Sequence, residues 1–337
     1  MKGAAAKGAA AKGARSPELR TALLVFVATV LLVLVSKALN HSFGSFSQLS
    51  VILSTSVFLV IVAFGQGLTI LLGGIDLSVG ILIAVSGLSV TAATNGVNGP
   101  LWWAVPAALL LTTLIGAANG LGIAFLKIPP FIMTLAVSTI IFGAALGLTS
   151  GQPQGTVAPA LQTLATGKIA GLPYTVLIIA VFFVLAATLQ GRTVFGRRVY
   201  LLGSNPLAAR LSGLRVNTLT VAVYALSGLC AGLAGLLLAG YSGSATLDMG
   251  NSYLLPSIAA VVVGGASVAG GRGLYLGTLA GAILLNTLDT SISALGLSQG
   301  WRSILGGLVI AVALLAQSQW SPWKSHRKEV ITSSRTA

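Results

Sequence analysis

Acidic side chains are nearly missing: five Asp and Glu stand among 337 residues, against 19 Lys and Arg. Charged residues of both signs make up only 7% of the chain, where a soluble globular chain carries about 25%. Most of this chain therefore cannot face water. One cysteine, Cys230, excludes a disulfide framework within the chain. Two histidines, His41 and His326, exclude an HExxH zinc site or any His-rich metal cluster. No GxxxxGK[ST] run occurs, so ATP is not bound through a P-loop of this chain. The GxSxG match GLSQG at 296–300 lacks a strand-turn-helix setting and a His/Asp pair, so it does not read as a nucleophile elbow. The expectation is a protein that is not an enzyme and needs no cofactor or metal.

Long apolar runs are abundant instead. Hydrophobic residues reach 55%, in stretches such as TALLVFVATVLLVLV and ALSGLCAGLAGLLLAG. Transmembrane β-strands would alternate over about ten residues, so the fold class is an all-α, polytopic membrane bundle. Ten candidate membrane helices fall near 20–39, 49–72, 75–94, 101–126, 129–149, 172–190, 217–240, 254–270, 274–292 and 300–317. The junctions at 70–80 and 264–275 are too short for ordinary loops and predict tight turns or broken helices buried in protein. The first run is too long for a signal h-region, so no cleavable leader is expected.

The division expected is a basic low-complexity tail (1–19, repeating KGAAA), a transmembrane domain (20–317) and a C-terminal tail (318–337). A net charge of +14 is the kind found in nucleic-acid binders, but here the basic residues lie between apolar runs or at the termini. With both termini cytoplasmic, 16 Lys and Arg fall inside, and only Lys37, Lys168 and Arg302 fall outside. The tail is expected near anionic lipid headgroups. The longest inside loop, 191–217, has five arginines and no acid. Within it Asn205 as N-cap and Pro206 at the first helical position predict a short helix closed by Gly213.

LLGGIDLSVG (71–80) breaks an apolar run, and VVGGASVAGG (262–271) echoes it. Asp76 is placed to cap a helix beginning at Leu77 through the N–H of Ser78 or Val79, and Arg272 or an arginine of the 191–217 loop is the expected counter-charge. Pairs Gly116/Gly120, Gly143/Gly147, Gly228/Gly232 and Gly277/Gly281 predict close helix packing. Polar positions Gln66, Asn119, Gln152 and Asn286 are candidates for lining a translocation path, with hydrogen bonding between helices as the competing role.

GGIDLSVG (73–80), KIPPFIMTL (127–135), TSGQP (149–153), GRTVFGRRVYLLGSNPLAARLSG (191–213), VYALSGLCAGLAGLLL (223–238) and IAAVVVGGASVAGGRG (258–273) occur in order. Together they resemble the permease subunits of bacterial monosaccharide ABC importers, the ribose permease group. The resemblance implies a multi-pass protein of the bacterial inner membrane that works as a pore. It implies a second permease copy or paralogue, a cytoplasmic ABC ATPase subunit and a periplasmic sugar-binding protein as partners. It assigns coupling to the ATPase to Asn205, Pro206, Ala208, Ala209 and Arg210. Leu207 departs from the pattern, since the group frequently carries an acidic residue there, in NPEAA. The substrate implied is a monosaccharide, with ribose or another pentose first. An ion-coupled secondary carrier is the alternative, but it usually needs a buried carboxylate relay. Asp76 and Asp289 are the only acids within the expected spans.

Overall fold

A computed structural model of the protein describes residues 16–39, 43–153 and 155–296, with 298, 300–301, 304–308 and 311. His41, His326, Arg302, most of the expected 300–317 helix, residues 1–15 of the basic tail and the 318–337 tail lie outside the described residues. Among the described residues the regular secondary structure is helical apart from one two-residue-per-strand hairpin. In order come α1 (Ser16–Leu39), α2 (Phe46–Leu71), α3 (Val79–Thr94), α4 (Leu101–Phe125), α5 (Pro130–Thr149) and α6 (Pro159–Thr166). Strands β1 (Lys168–Ile169) and β2 (Leu172–Pro173) follow, then α7 (Tyr174–Arg192), α8 (Val194–Ser204), α9 (Pro206–Leu211), α10 (Val216–Ser242), α11 (Asn251–Val263) and α12 (Tyr275–Ala294).

Six of these helices (α1, α2, α4, α5, α7 and α10) are long and apolar enough to cross a membrane. The chain is a polytopic all-α membrane protein. Shorter α3 and α11, of 16 and 13 residues, reach about 24 and 20 Å at roughly 1.5 Å per residue, less than a ~30 Å hydrocarbon core. Each is one half of a broken segment. The expected spans at 75–94 and 254–270 overran these breaks because glycine and short polar residues are apolar enough to extend a hydropathy pattern.

Helix α2 is the axis of the bundle. From Ser56 to Leu71 every residue except Gly67 is buried, as a helix apolar on all sides requires. Lipid offers apolar side chains no reward for leaving it, so contact must come from close approach of backbones. Glycine provides that approach. A Cβ on Gly116 would collide with the Tyr224 carbonyl, and one on Gly228 with the Thr112 carbonyl, which locks α4 onto α10. Gly277 and Gly281 bring α12 onto the Gly264 and Ala260 backbone in the same way. The fourth pair differs: Gly143 and Gly147 on α5 meet nothing within 4 Å. Of α5 only Thr134 is buried.

Hairpin β1–β2 pairs antiparallel with Lys168 opposite Pro173. Its two-residue turn puts Ala170 (φ 49°) and Gly171 (φ 82°) in the left-handed region, the backbone a tight right-twisted hairpin demands. Neither this hairpin nor α6 was expected from the sequence.

Candidate functional site

Helix α2 ends where its backbone reaches glycine. Gly73, at φ 80°, donates to Ile70 O at 2.8 Å and Gly74 to Thr69 O at 3.0 Å, the paired bonds of a Schellman closure. The echo at 262–271 ends α11 by the same device. There Gly265, at φ 90°, donates to Val262 O at 3.0 Å and Ala266 to Val261 O at 3.1 Å. The left-handed residue falls on the first glycine of the pair in one copy and on the second in the other, so the echo is structural but out of step by one residue.

Beyond Gly74 the chain does not resume a helix at Leu77; α3 starts at Val79. Asp76, 0% exposed, turns back on this link. Its Oδ1 accepts from the Ser78 N–H at 3.0 Å and the Ser78 hydroxyl at 2.6 Å, and its Oδ2 accepts from the Ser227 hydroxyl at 2.8 Å. The expected counter-charge is not at hand. Arg272 is exposed in the 264–274 link, and hydroxyls supply the carboxylate's donors without desolvating a second charge, the larger cost in a low-dielectric interior.

Around Asp76 four further helices contribute. Gln66 of α2, its amide oriented to satisfy both groups, donates to Asp76 O at 3.1 Å and accepts from Asp76 N–H at 3.2 Å. Asn119 of α4 donates from Nδ2 to the Ser78 hydroxyl at 2.9 Å. Thr134 of α5 accepts from the Leu77 N–H at 3.1 Å. Ser227 and Tyr224 come from α10, and the Tyr224 hydroxyl occupies the space that a side chain at Gly74 would need. The link between α2 and α3 is thus a polar knot joining five helices within an apolar bundle.

Two of the candidate path residues, Gln66 and Asn119, belong to this knot. Asn286 is elsewhere: its Nδ2 donates to Ile52 O at 2.9 Å, Thr55 Oγ1 at 2.8 Å and Ser56 Oγ at 3.0 Å, tying α12 to α2. Gln152 is exposed just past the end of α5. The structure does not bring these four to one cavity.

The basic loop adopts the predicted local form. Asn205 Oδ1 accepts from the Ala208 N–H at 2.9 Å, with Pro206 opening α9. Gly213, at φ 78°, donates to Arg210 O at 3.0 Å and Leu214 to Ala209 O at 3.1 Å. Six residues capped at both ends make a rigid knob. Ala209 alone is buried, while Leu207 is 67% and Leu211 80% exposed, beside exposed Ala208 and Arg210.

The end of α8, which leads directly into this knob, sits on both helix breaks. Gly271 N–H donates to Leu71 O at 2.9 Å, joining the two broken segments. Gly203, two residues before the Asn205 cap, lies against both, so that a Cβ there would collide with the Leu71 carbonyl and stand 2.8 Å from Gly271 N. Gln190 of α7 donates to the Tyr200 hydroxyl at 2.8 Å, and Tyr200 donates to the Gly273 carbonyl. The end of α8 therefore packs against the 71–74 and 270–273 links, by close backbone approach at Gly203 and by one hydrogen bond from Tyr200. Sequence reasoning did not single out Gly203, Tyr200, Tyr224, Ser227 or Thr134. All five stand inside the six ordered blocks, which was the only signal for them.

The family model for the branched-chain amino acid transport system/permease component matches residues 48–314. The ribose import permease protein RbsC of Haemophilus influenzae is 36% identical over 297 residues, covering 87% of this chain and 92% of the relative. The Escherichia coli RbsC is 37% identical over the same shares. The fructose import permease protein FrcC of Rhizobium meliloti is 33% identical over 84% of this chain and 80% of its own length. No solved structure matches.

Proposed function

The chain belongs to the family of branched-chain amino acid transport system permease components, and from that membership we propose that it is the pore subunit of an ATP-driven monosaccharide importer in a bacterial plasma membrane. The named relatives are ribose and fructose import permeases, which supports a sugar, with ribose or another pentose first. ATP hydrolysis belongs to a separate cytoplasmic ATPase subunit, and a periplasmic sugar-binding protein delivers the substrate. Both termini lie in the cytoplasm, with α9 on the same side.

The observation that carries the reading is the contact of the end of α8, which leads directly into α9, with the two broken segments. An ATPase groove engages Asn205, Pro206, Ala208, Ala209 and Arg210 of the knob, by shape at Leu207 rather than by an ion pair. Displacement of α9 then pulls on Gly203 and hence on Leu71 and Gly271. A capped helix of one or two turns moves as a unit, whereas the glycine links at both breaks absorb the change in backbone angle. The helices that follow, α3 and α12, tilt relative to α2 and α11. A second permease copy closes the path over the unburied face of α5, where Gly143 and Gly147 are open to close contact.

Reconstitution tests this directly. Liposomes holding the chain with its ATPase subunit and binding protein should take up labelled ribose only with ATP inside. Uptake by the chain alone, driven by a sodium or proton gradient without ATP, would overturn the proposal in favour of a secondary carrier.

A further inference from the structure

A cavity that the coupling path does not use opens between α8 and the start of α10. It measures about 480 Å³ and is lined by Phe195, Leu214, Leu219 and Ala222 with Arg198 and Arg215, within the roughly 300–1,000 Å³ of small-molecule sites. Its floor is apolar, and both arginines are exposed. Neither guanidinium has a hydrogen bond or ion pair among the described residues. We propose that this groove holds the headgroup of an anionic phospholipid, with the phosphate between Arg198 and Arg215 and the upper acyl chain on the apolar floor.

Depth is the first argument. Helix α10 has 27 residues, about 40 Å at roughly 1.5 Å per residue, against a hydrocarbon core of ~30 Å. The excess of about 10 Å lets its first turns, with Leu219 and Ala222, reach the headgroup layer. The other wall starts at Phe195, three residues past the end of span α7. A groove with an apolar floor and a cationic rim at that depth matches a lipid in cross-section, phosphate outermost and hydrocarbon beneath.

Charge is the second. Residues 191–217 carry five arginines and no acid, so the groove attracts anions and repels the choline of a zwitterionic lipid. Arginine offers a planar fork of donors that takes a phosphate bidentately. Two forks on one phosphate make a site for a phosphodiester rather than a diffuse attraction. A protein partner would be expected to seize the projecting side chains of α9, not a recess at headgroup depth.

Native mass spectrometry of the purified full chain, titrated with dioleoylphosphatidylglycerol or dioleoylphosphatidylcholine, tests the proposal. The anionic lipid should bind at least tenfold more tightly. An Arg198→Gln/Arg215→Gln double variant should weaken it roughly ten- to thirtyfold and leave phosphatidylcholine unchanged. Arg192→Gln/Arg197→Gln, which removes an equal charge at residues that do not line the groove, should cost no more than about threefold. Arg198→Lys/Arg215→Lys, which keeps the charge without the planar fork, should recover only part of the affinity, and an unfolding temperature of the Gln variants equal to the parent's answers for any folding defect. Equal binding of the two lipids, or an Arg192→Gln/Arg197→Gln effect as large as that of Arg198→Gln/Arg215→Gln, would overturn the site. So would full competition by millimolar glycerol phosphate, which marks a free-anion site, or release of the lipid by the ATPase subunit, which marks a protein surface.

Discussion

Gly203 rests directly on the carbonyl of Leu71, the last residue of helix α2, across 132 positions of sequence (203 − 71). The contact is possible only without a side chain. It places the segment that leads into α9 against a helix end whose carbonyl already accepts from Gly271. One glycine thus joins the exposed knob to both broken segments.

Replacing Gly203 by Val should therefore be far worse than a glycine substitution in open space. The added atoms meet backbone at Leu71 and Gly271, which cannot rotate away, and overpacking of this kind costs about 1–3 kcal/mol. The expected outcome is a lower unfolding temperature in detergent and ATP-driven uptake reduced at least tenfold. Gly191→Val, at a glycine with nothing within 4 Å, is the control and should leave uptake within about twofold. Normal uptake by Gly203→Val would remove this contact from the coupling path.

Asp76→Leu should be strongly destabilising, because it leaves the Ser78 N–H, the Ser78 hydroxyl and the Ser227 hydroxyl buried without an acceptor. Each orphaned buried donor costs about 1–3 kcal/mol. Asp76→Asn keeps one acceptor oxygen, and the Ser227 hydroxyl can turn to accept from the new amide. That variant should fold and keep most of its activity. Arg272→Gln should shift stability by no more than about 0.5 kcal/mol, as for an exposed surface change. A defect in Arg272→Gln that Asp76→Asn relieves would restore the ion pair that the structure does not contain. Chemical unfolding of the solubilised protein measures all three.

The contrast between Asp76 and Arg272 marks how far the sequence could be read. A scarce charge flanked by glycines announces a helix break, and the residue types around Asn205 announce a capped turn, because both signals are local. Which side chains reach Asp76 is not local: Ser227 is 151 positions away and Thr134 lies 57 from the Leu77 N–H it accepts. A lone serine or threonine in a membrane helix has too many possible partners for spacing to choose among them. Charge suggested Arg272 because opposite charges are the simplest pairing on paper. In the folded chain three hydroxyl and amide donors satisfy the carboxylate without a second ion. Hydropathy similarly ran α3 and α11 through their breaks, since glycine hardly alters an apolar average. The hairpin at 168–173 went unread because its turn, Ala170–Gly171, carries only one of the usual turn residues.

The caps of α9 separate local order from overall stability. Asn205→Ala removes one acceptor at the helix start, worth about 1 kcal/mol, and Gly213→Ala forces a side chain into φ 78°, costing about the same. Because α9 is almost wholly exposed, neither change should lower the unfolding temperature of the bundle by more than a few degrees. Both should reduce sugar transported per ATP hydrolysed by about three- to tenfold, since a frayed knob transmits less displacement. Parallel assays of uptake and phosphate release in proteoliposomes check the ratio. A proportionate fall in both rates, with the ratio intact, would show that the caps serve docking affinity and not transmission.

The open face of α5 predicts where a second permease copy packs. Gly143 and Gly147 lie one turn apart on that helix, and a side-chain carbon added at either would meet no atom within 4 Å. Close backbone contact is what small residues at this spacing allow. Gly143→Leu/Gly147→Leu has room within one chain, so the fold and its unfolding temperature in detergent should be unchanged. Self-association should drop instead, read as loss of the dimer peak by light scattering and loss of disulfide cross-linking between copies carrying Ser138→Cys. Transport should fall with it, because a half-pore has no closed path. A stable, cross-linked dimer in the double-leucine variant would move the interface off α5, and the same cysteine scan carried to exposed positions of α7 and α1 would then locate it.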